Sequence, residues 1–228
     1  MRVLDSEHCP ALDVVVADHV ALPASRAHDA AFVRLNMISS ADGGSAVAGL
    51  SGGLGNRIDH AVFNALRAGA DAVLVGAGTV AAEHYGAPTV PGLQIYVVTG
   101  HPDITGAPEL FASGRATFVV PDDGPPVPAG VPELRAGTGG KVDLKQVVGA
   151  LAGKVVVAEG GPTLAGALTA LGLVDEFFLT VSPRVVAGDS ARVVHGDGAD
   201  PKVWHLRHGF VDDDGFLFLR YAKVAEPR

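Results

Sequence analysis

Lys154-Val-Val-Val-Ala-Glu-Gly-Gly-Pro-Thr-Leu-Ala-Gly-Ala-Leu168 reads as a strand, a glycine turn and the start of a helix. Residues 154–158 form a short apolar run rich in valine, as a buried strand does. Gly160-Gly161 breaks the run. Pro162 then suits the first position of a helix, where its missing N–H removes only a donor without an intrahelical partner. Leu164, Ala167, Leu168 and Leu171 recur at helical spacing. Glu159 falls at the carboxyl end of the strand, the side on which open α/β sheets bind ligands. Two readings of the turn stand side by side. Bare glycines let a diphosphate reach the free N–H groups at the positive end of a helix dipole. An ordinary tight strand-to-helix connection uses glycine in the same way.

Working outward, Asp71-Ala-Val-Leu-Val75 is a second strand. It runs into Gly76-Ala-Gly-Thr-Val-Ala81, which opens a helix and matches the dinucleotide pattern with alanine in place of the third glycine. This turn, too, is compatible with holding nothing. Phe32–Ile38 alternates apolar and polar residues as a strand does and leads to Ser39-Ser-Ala-Asp-Gly-Gly44, a glycine turn carrying Asp42. Residues 45–55 look like a mobile loop. Asn56 suits an N-cap, Ile58, Val62, Ala65 and Leu66 form a helical stripe, and Gly69 ends it. Val14–Val16 fits a short helical turn or an edge piece.

Further along, Leu93–Thr99 and Ala116–Val120 are strands, and residues 121–132 form a proline-rich surface loop. Leu144, Val147, Val148 and Leu151 mark a helix. Gly172 suits the position after the helix of 162–171, and Asp175–Val181 is a strand. Trp204–Val211 and Phe216–Tyr221 close the chain, joined by the hairpin turn Asp212-Asp-Asp-Gly215. Such alternation predicts an α/β fold with a mostly parallel sheet between helical layers, ending in an antiparallel hairpin. Residues 31–228 are expected to form a single domain on which an arm, residues 1–30, packs.

The totals exclude several functions. The 228 residues, 48% hydrophobic, can bury a full core. A net charge of −8 disfavours nucleic acid and anionic membranes as partners. No apolar run is long enough to span a bilayer, and the N-terminus lacks a signal pattern; the expectation is a cytoplasmic protein. The single cysteine, Cys9, allows no internal disulfide or cysteine zinc cluster and reads as an incidental thiol. His101, His195, His205 and His208 show no metal-ligand spacing. On a strand, His205 and His208 would point to opposite faces, so no metal is expected.

Five stretches in this order and spacing resemble one family: Ser39-Ser-Ala-Asp-Gly43, Leu66-Arg67-Ala68, Asp71–Thr79, Glu159-Gly-Gly-Pro162 and Leu173-Val-Asp-Glu176. They are similar to the reductase domain of bifunctional riboflavin-biosynthesis deaminase/reductases over roughly residues 31–222. The resemblance implies a three-layer α/β/α dihydrofolate-reductase-like fold and NADPH-dependent reduction of a phosphoribosylamino-pyrimidine. It implies that Gly76, Gly78 and Thr79 hold one part of the cofactor, that Gly160, Gly161, Thr163 and Leu164 hold its diphosphate, and that Glu83 and Thr99 also contact it. No acidic residue stands directly after the Thr99 strand, which favours NADP over NAD. Asp42, Arg67 and Glu159 match substrate-facing positions, with Asp42 and Glu159 the catalytic candidates, and Asn36, Ser51 and Tyr85 join Arg67 on the substrate side. Read without the family, Asp42 is equally a turn-forming residue, Arg67 a surface charge, Thr99 a strand-end hydroxyl, Ser51 loop filler and Tyr85 packing.

There are departures. One cysteine rules out the family's zinc deaminase domain. The Leu-x-x-Arg that the family carries after its Gly-Thr helix is here Glu83-His-Tyr-Gly-Ala-Pro88, and Gly53 stands in place of a tryptophan. These changes keep open a pterin as substrate, on the same fold, or an NADP-binding sensor without catalysis. The apolar terminal hairpin offers an edge strand for pairing with a second copy, and a homodimer is expected.

Overall fold

The structure, a computed structural model, describes residues 2–3, 12–24, 29–196 and 201–224. In chain order the elements are β1 (Arg2–Val3), α1 (Leu12–Val20), β2 (Phe32–Ser39), α2 (Arg57–Ala68), β3 (Ala72–Gly76), α3 (Ala77–Ala82), β4 (Gln94–Val98) and α4 (Pro108–Ala112). They continue with β5 (Ala116–Val120), β6 (Glu133–Arg135), α5 (Leu144–Ala150), β7 (Val155–Ala158), α6 (Pro162–Ala170), β8 (Glu176–Val181), β9 (Trp204–Val211) and β10 (Leu217–Lys223). Among the described residues, ten strands join one sheet in the order β1-β9-β10-β8-β2-β7-β3-β4-β5-β6. Every pair from β8 to β6 is parallel, and β10 runs antiparallel to both β8 and β9.

Strand periodicity builds the layers. Ala72 and Leu74 of β3 face one side with Val156 and Ala158 of β7, beneath Leu144 and Val147 of α5 and Leu164 and Leu168 of α6. Val73 and Val75 face the other side with Val80 of α3 and Leu110 and Phe111 of α4. On that second side Val157 meets Val62 and Leu66 of α2, Val15 and Val16 of α1, and Phe178, Phe210 and Phe218 of the hairpin end. Strands buried on both faces need near-continuous apolar runs, which is why 72–75 and 155–158 carry no charge.

One buried ionic group stands where the parallel sheet meets the hairpin. Glu176 of β8 accepts from Arg34 of β2 at 2.9 Å and from Arg220 of β10 at 2.9 Å. Phe178 lies under both guanidiniums. Burial, offset by the neighbouring Glu176, leaves the Arg34 pKa lowered to about 10. His19 of α1 packs edge-on against Phe178 and Phe210. Burial first, then the nearby His208, lowers its pKa to about 3.

Several local expectations change. Val14–Val16 belongs to a nine-residue helix whose Val15 and Val16 are buried against the body. Asn56 caps α2 as expected, its Oδ1 accepting from the N–H groups of Ile58 and Asp59, but Gly69 closes that helix at φ −96°, outside the left-handed region. Leu171 is exposed, since the buried face of α6 runs through Leu164, Ala165 and Leu168. Strand β6, not expected from the sequence, follows directly on the surface loop of residues 121–132 and adds a parallel edge to β5. The hairpin edge is not bare, because Arg2 and Val3 pair in parallel with Phe210 and Val211 of β9. A register shift opposite Arg220 and Tyr221 separates Leu206 from His208, so simple alternation does not govern His205 and His208. Cys9 lies outside the described residues.

Candidate functional site

The carboxyl ends of β2, β3 and β7 open into one cleft of about 770 Å³. Its floor is made by two turns that touch. The Gly76 N–H donates to the Gly160 carbonyl at 2.8 Å, so the starts of α3 and α6 stand side by side. No side chain caps either helix, which leaves first-turn N–H groups for a ligand. Gly160 has φ +81° and is joined to Gly161 by a cis peptide. A Cβ on Gly161 would stand 2.8 Å from the Thr79 hydroxyl, and one on Gly160 2.9 Å from the Met37 sulfur. Beyond Gly78 the space is open. These are the features of a cradle for an anionic, elongated ligand laid across two strand tips.

The wall opposite the cradle belongs to α2. Asp59, Phe63 and Arg67 line the cleft at i, i+4 and i+8, one stripe of the helix. Arg67 donates from Nε and Nη2 to the two oxygens of Glu159, both at 2.6 Å, and its guanidinium lies over the Phe63 ring. Burial works against the Arg67 charge, but hydrogen bonds and charge from Glu159 outweigh it and raise its pKa. The Tyr85 hydroxyl donates to Glu159 at 2.8 Å, and burial followed by that negative charge pushes the phenol pKa well up. His84, at φ 49°, is a left-handed residue that turns the chain just before Tyr85.

Glu83, at the end of α3, also lines the cleft. Its Oε1 accepts from the Ser51 N–H at 2.7 Å and the Ser51 hydroxyl at 2.8 Å. Residues 45–55 form a turn, with Val47 and Leu50 bridged to each other and Ser51 hydrogen-bonded to the end of α3.

Most of the residues singled out from sequence line this cleft: Asn36, Ser51, Arg67, Tyr85, Gly76, Gly78, Thr79, Glu83, Glu159, Gly161, Thr163 and Leu164. Gly160 sits directly beneath it through its bond to Gly76. Asp42 and Thr99 do not line it. Asp42 is exposed, and its carboxylate accepts from the Ser40 hydroxyl at 2.5 Å and from the Val186 and Ala187 N–H groups at 3.1 and 2.8 Å. Those bonds, that of Ser40 foremost, lower its pKa to about 2. In this arrangement Asp42 ties the turn of β2 to Val186 and Ala187, outside the lining of the cleft. Thr99 exchanges hydrogen bonds with His101 on the next strand tip. Asp59 and Phe63 were overlooked in the sequence, although their i, i+4, i+8 relation to Arg67 was legible there. Among the described residues no group of His, Cys, Asp and Glu is placed to hold a metal, and no helix is long and apolar enough to cross a membrane.

Comparison with known proteins adds independent findings. The family model for the RibD C-terminal domain matches residues 31–218. The 2,5-diamino-6-ribosylamino-4(3H)-pyrimidinone 5′-phosphate reductase of Methanothermobacter thermautotrophicus is 31% identical over 192 residues, covering 74% of this chain and 86% of that protein. Among solved structures, a pyrimidine reductase-like protein of Corynebacterium diphtheriae superposes with a TM-score of 0.78 at 22% identity, over 94% of this chain and 99% of that one. Dihydrofolate reductase of Enterococcus faecalis, solved with NADP(H), superposes with a TM-score of 0.53 at 14% identity, over 85% and 97% of the two chains. The architecture is thus the three-layer dihydrofolate-reductase-like fold.

Proposed function

The chain belongs to the RibD C-terminal domain family, and on that premise we propose that it is an oxidoreductase that uses NADPH to reduce a C=N-type bond of a ribosylamino-pyrimidine, as the pyrimidine reductases of riboflavin biosynthesis do. The observation that carries this reading is the contact of the two uncapped helix starts, Gly76 against Gly160, at the floor of a cleft walled by Arg67 and Glu159. When bound, the reduced nicotinamide supplies a hydride; the protein supplies alignment and a shielded site. The N–H groups of α6 at Thr163 and Leu164 and the open space beyond Gly78 fit the diphosphate. Thr79 and Gly161 set how closely the dinucleotide approaches the backbone.

Glu159 and Arg67 act as one unit. The arginine fixes the carboxylate in a single orientation, and Tyr85 fixes it from the other side, so it meets a substrate hydroxyl or amino group without reorganising. The substrate gains hydride at the imine carbon and a proton at nitrogen; the second comes from solvent or from this hydrogen-bonded group. Glu83 and Ser51 hold the glycine turn over the substrate end. The enzyme works in the cytoplasm as a homodimer, and the pairing is supported by Val203, just before β9, and Leu206 on it, 77% and 54% exposed. Light scattering at micromolar concentration checks the dimer.

A second reading, reduction of a pterin, is favoured by one observation. Among the described residues lining the cleft, the one arginine is already paired with Glu159, while Asp59 and Glu83 add two more carboxyls, a poor setting for a substrate phosphate. Loss of reduced-nicotinamide absorbance, measured with NADPH and with NADH against the ribosylamino-pyrimidine phosphates and against dihydrofolate, tests both. No oxidation with any of them would leave a nucleotide-binding sensor in their place.

A further inference from the structure

Helix α1 stands ahead of residues 31–218, the stretch that matches the RibD C-terminal domain. Its buried stripe is Val15, Val16 and His19. Val15 and Val16 pack with Val62 and Leu66 of α2. Their sequence neighbours on α2, Phe63 and Arg67, line the cleft. One residue is about 100° of turn around a helix, so α2 is a wall with α1 on one face and the ligand site on another. Whatever holds α1 therefore bears on where Phe63 and Arg67 stand.

The polar anchors of α1 fall in its last turn. The Val20 carbonyl accepts from Arg34 Nη2 at 2.7 Å, and the His19 carbonyl accepts from Arg220 Nη1 at 3.1 Å. The two guanidiniums share one carboxylate, Glu176, so this group carries a positive charge in excess, and it meets the negative end of the α1 dipole. His19, 1% exposed, shares a hydrogen bond of 2.9 Å between its Nδ1 and Nδ1 of His208 on β9. His208 Nε2 stands 3.3 Å from the Asp18 carboxylate. Among the described residues, the charged and titratable groups around His19 are thus Arg34 on β2, Glu176 on β8, His208 on β9, Arg220 on β10 and Asp18 on α1 itself, while α2 turns Val62 and Leu66 to α1.

A hydrogen bond between two Nδ1 atoms carries a single proton. Charging both rings would set N–H against N–H, beside two arginines. The docked pair therefore binds at most one extra proton, whereas the pair released into water binds two. The dipole of α1 favours a charge on His19, but burial foremost, then His208, Arg220 and Arg34, outweighs it. Docking is complete above the ordinary histidine value of 6.5 and weakens as pH falls below it. Each unit below that value shifts the ratio of docked to released α1 about tenfold toward release. We propose that α1 is a proton-released brace of the cleft wall: at neutral pH it holds α2 and its Phe63–Arg67 stripe in place, and acid frees it and loosens the ligand site. His19 is the trigger, and the contact of Val15 and Val16 with Val62 and Leu66 is the strut.

The test is hydrogen exchange of the full chain, read by mass spectrometry at pH 7.5 and pH 5 and corrected for the intrinsic dependence of exchange on pH. In the unaltered protein, protection of residues 12–20 should fall about tenfold or more at the lower pH. Protection of residues 57–68 should fall with it, while residues 155–158 keep theirs. His19→Asn leaves an amide near the place of Nδ1 and cannot gain a proton, so its residues 12–20 should change by less than about twofold between the two conditions. In the unaltered protein, and not in the variant, KM for the heterocycle should rise in acid more than kcat falls. That kinetic arm alone rests on the reductase reading above: a chain that reduces no heterocycle fails the reading, while exchange still decides whether α1 is a brace. Unchanged protection of α1 at pH 5, loss of α1 only together with the whole sheet, or the same loss in His19→Asn overturns the proposal. So does release of α1 that leaves α2 as protected as before. The unaltered protein carries the first comparison, so a variant that fails to fold leaves the test in force.

Discussion

Arg67 and Glu159 meet through two parallel hydrogen bonds of 2.6 Å, joining the last turn of α2 to the tip of β7 across 92 residues of chain. The Glu159 side chain is 2% exposed and that of Arg67 19%. Removing one partner of such a pair strands the other charge in a poorly solvated place, a loss of about 3–5 kcal/mol. Arg67→Ala is expected to lose stability on that scale in urea denaturation, and Arg67→Lys to lose less, since an ammonium keeps the charge but not the forked geometry. A stability change below about 1 kcal/mol for the alanine variant would show the pair to be a solvated surface contact.

Gly161→Ala places a methyl group 2.8 Å from the Thr79 hydroxyl, between the two helix starts. Fluorescence titration should show NADPH affinity reduced about tenfold or more, since the backbone can no longer be approached. Replacing Thr79 by alanine in the same chain removes the clash and should recover part of the loss. Unaltered affinity in Gly161→Ala would place the dinucleotide elsewhere.

The Glu83–Ser51 latch predicts a split effect. Glu83→Ala removes the acceptor of two hydrogen bonds and releases the turn of residues 45–55. Limited proteolysis should then cut in that segment several-fold faster, and KM for the heterocycle should rise more than kcat falls. Equal resistance of both proteins to protease would mean the turn is held by its own backbone.

His19 gives a pH signature. Its folded pKa of about 3 lies below the ordinary 6.5. The unfolded chain takes up a proton near pH 6.5 and the folded chain does not, so this contribution to stability is complete above pH 6.5 and fades as pH falls toward 3. The slope contributed is about 1.4 kcal/mol per pH unit in that window. Denaturation midpoints of the unaltered protein and of His19→Leu, compared from pH 7 to pH 4, should converge as the medium becomes acidic. Parallel curves would place a charged imidazole in the folded core.

The fold was legible where local pattern and tertiary role coincide. The valine runs at 72–75 and 155–158 are strands under any plausible packing, and Asp212–Gly215 allows little except a hairpin turn. The candidate site was legible where glycine does what only glycine can do, at 76 and 160–161. It was obscure where a residue's meaning depends on what arrives from far along the chain. Asp42 sits in a suitable turn after a suitable strand, and only the fold shows that residues 186–187 come back to donate to it. Asp59 hides for the opposite reason, because a carboxylate in a helix's first turn is common on electrostatic grounds alone and its partner Thr180 lies on β8. The edge of β9 looked bare because a two-residue strand at the chain's start carries too little pattern to be seen.

The order of strands in the sheet differs sharply from the order in which the ribosome delivers them. β2 is among the first strands made, yet it lies between β7 and β8, which are among the last. Until residues 155–181 have been made, β2 lacks its full pair of sheet neighbours. Closing the sheet thus waits on β7 and β8, which must return to clasp a strand synthesised long before.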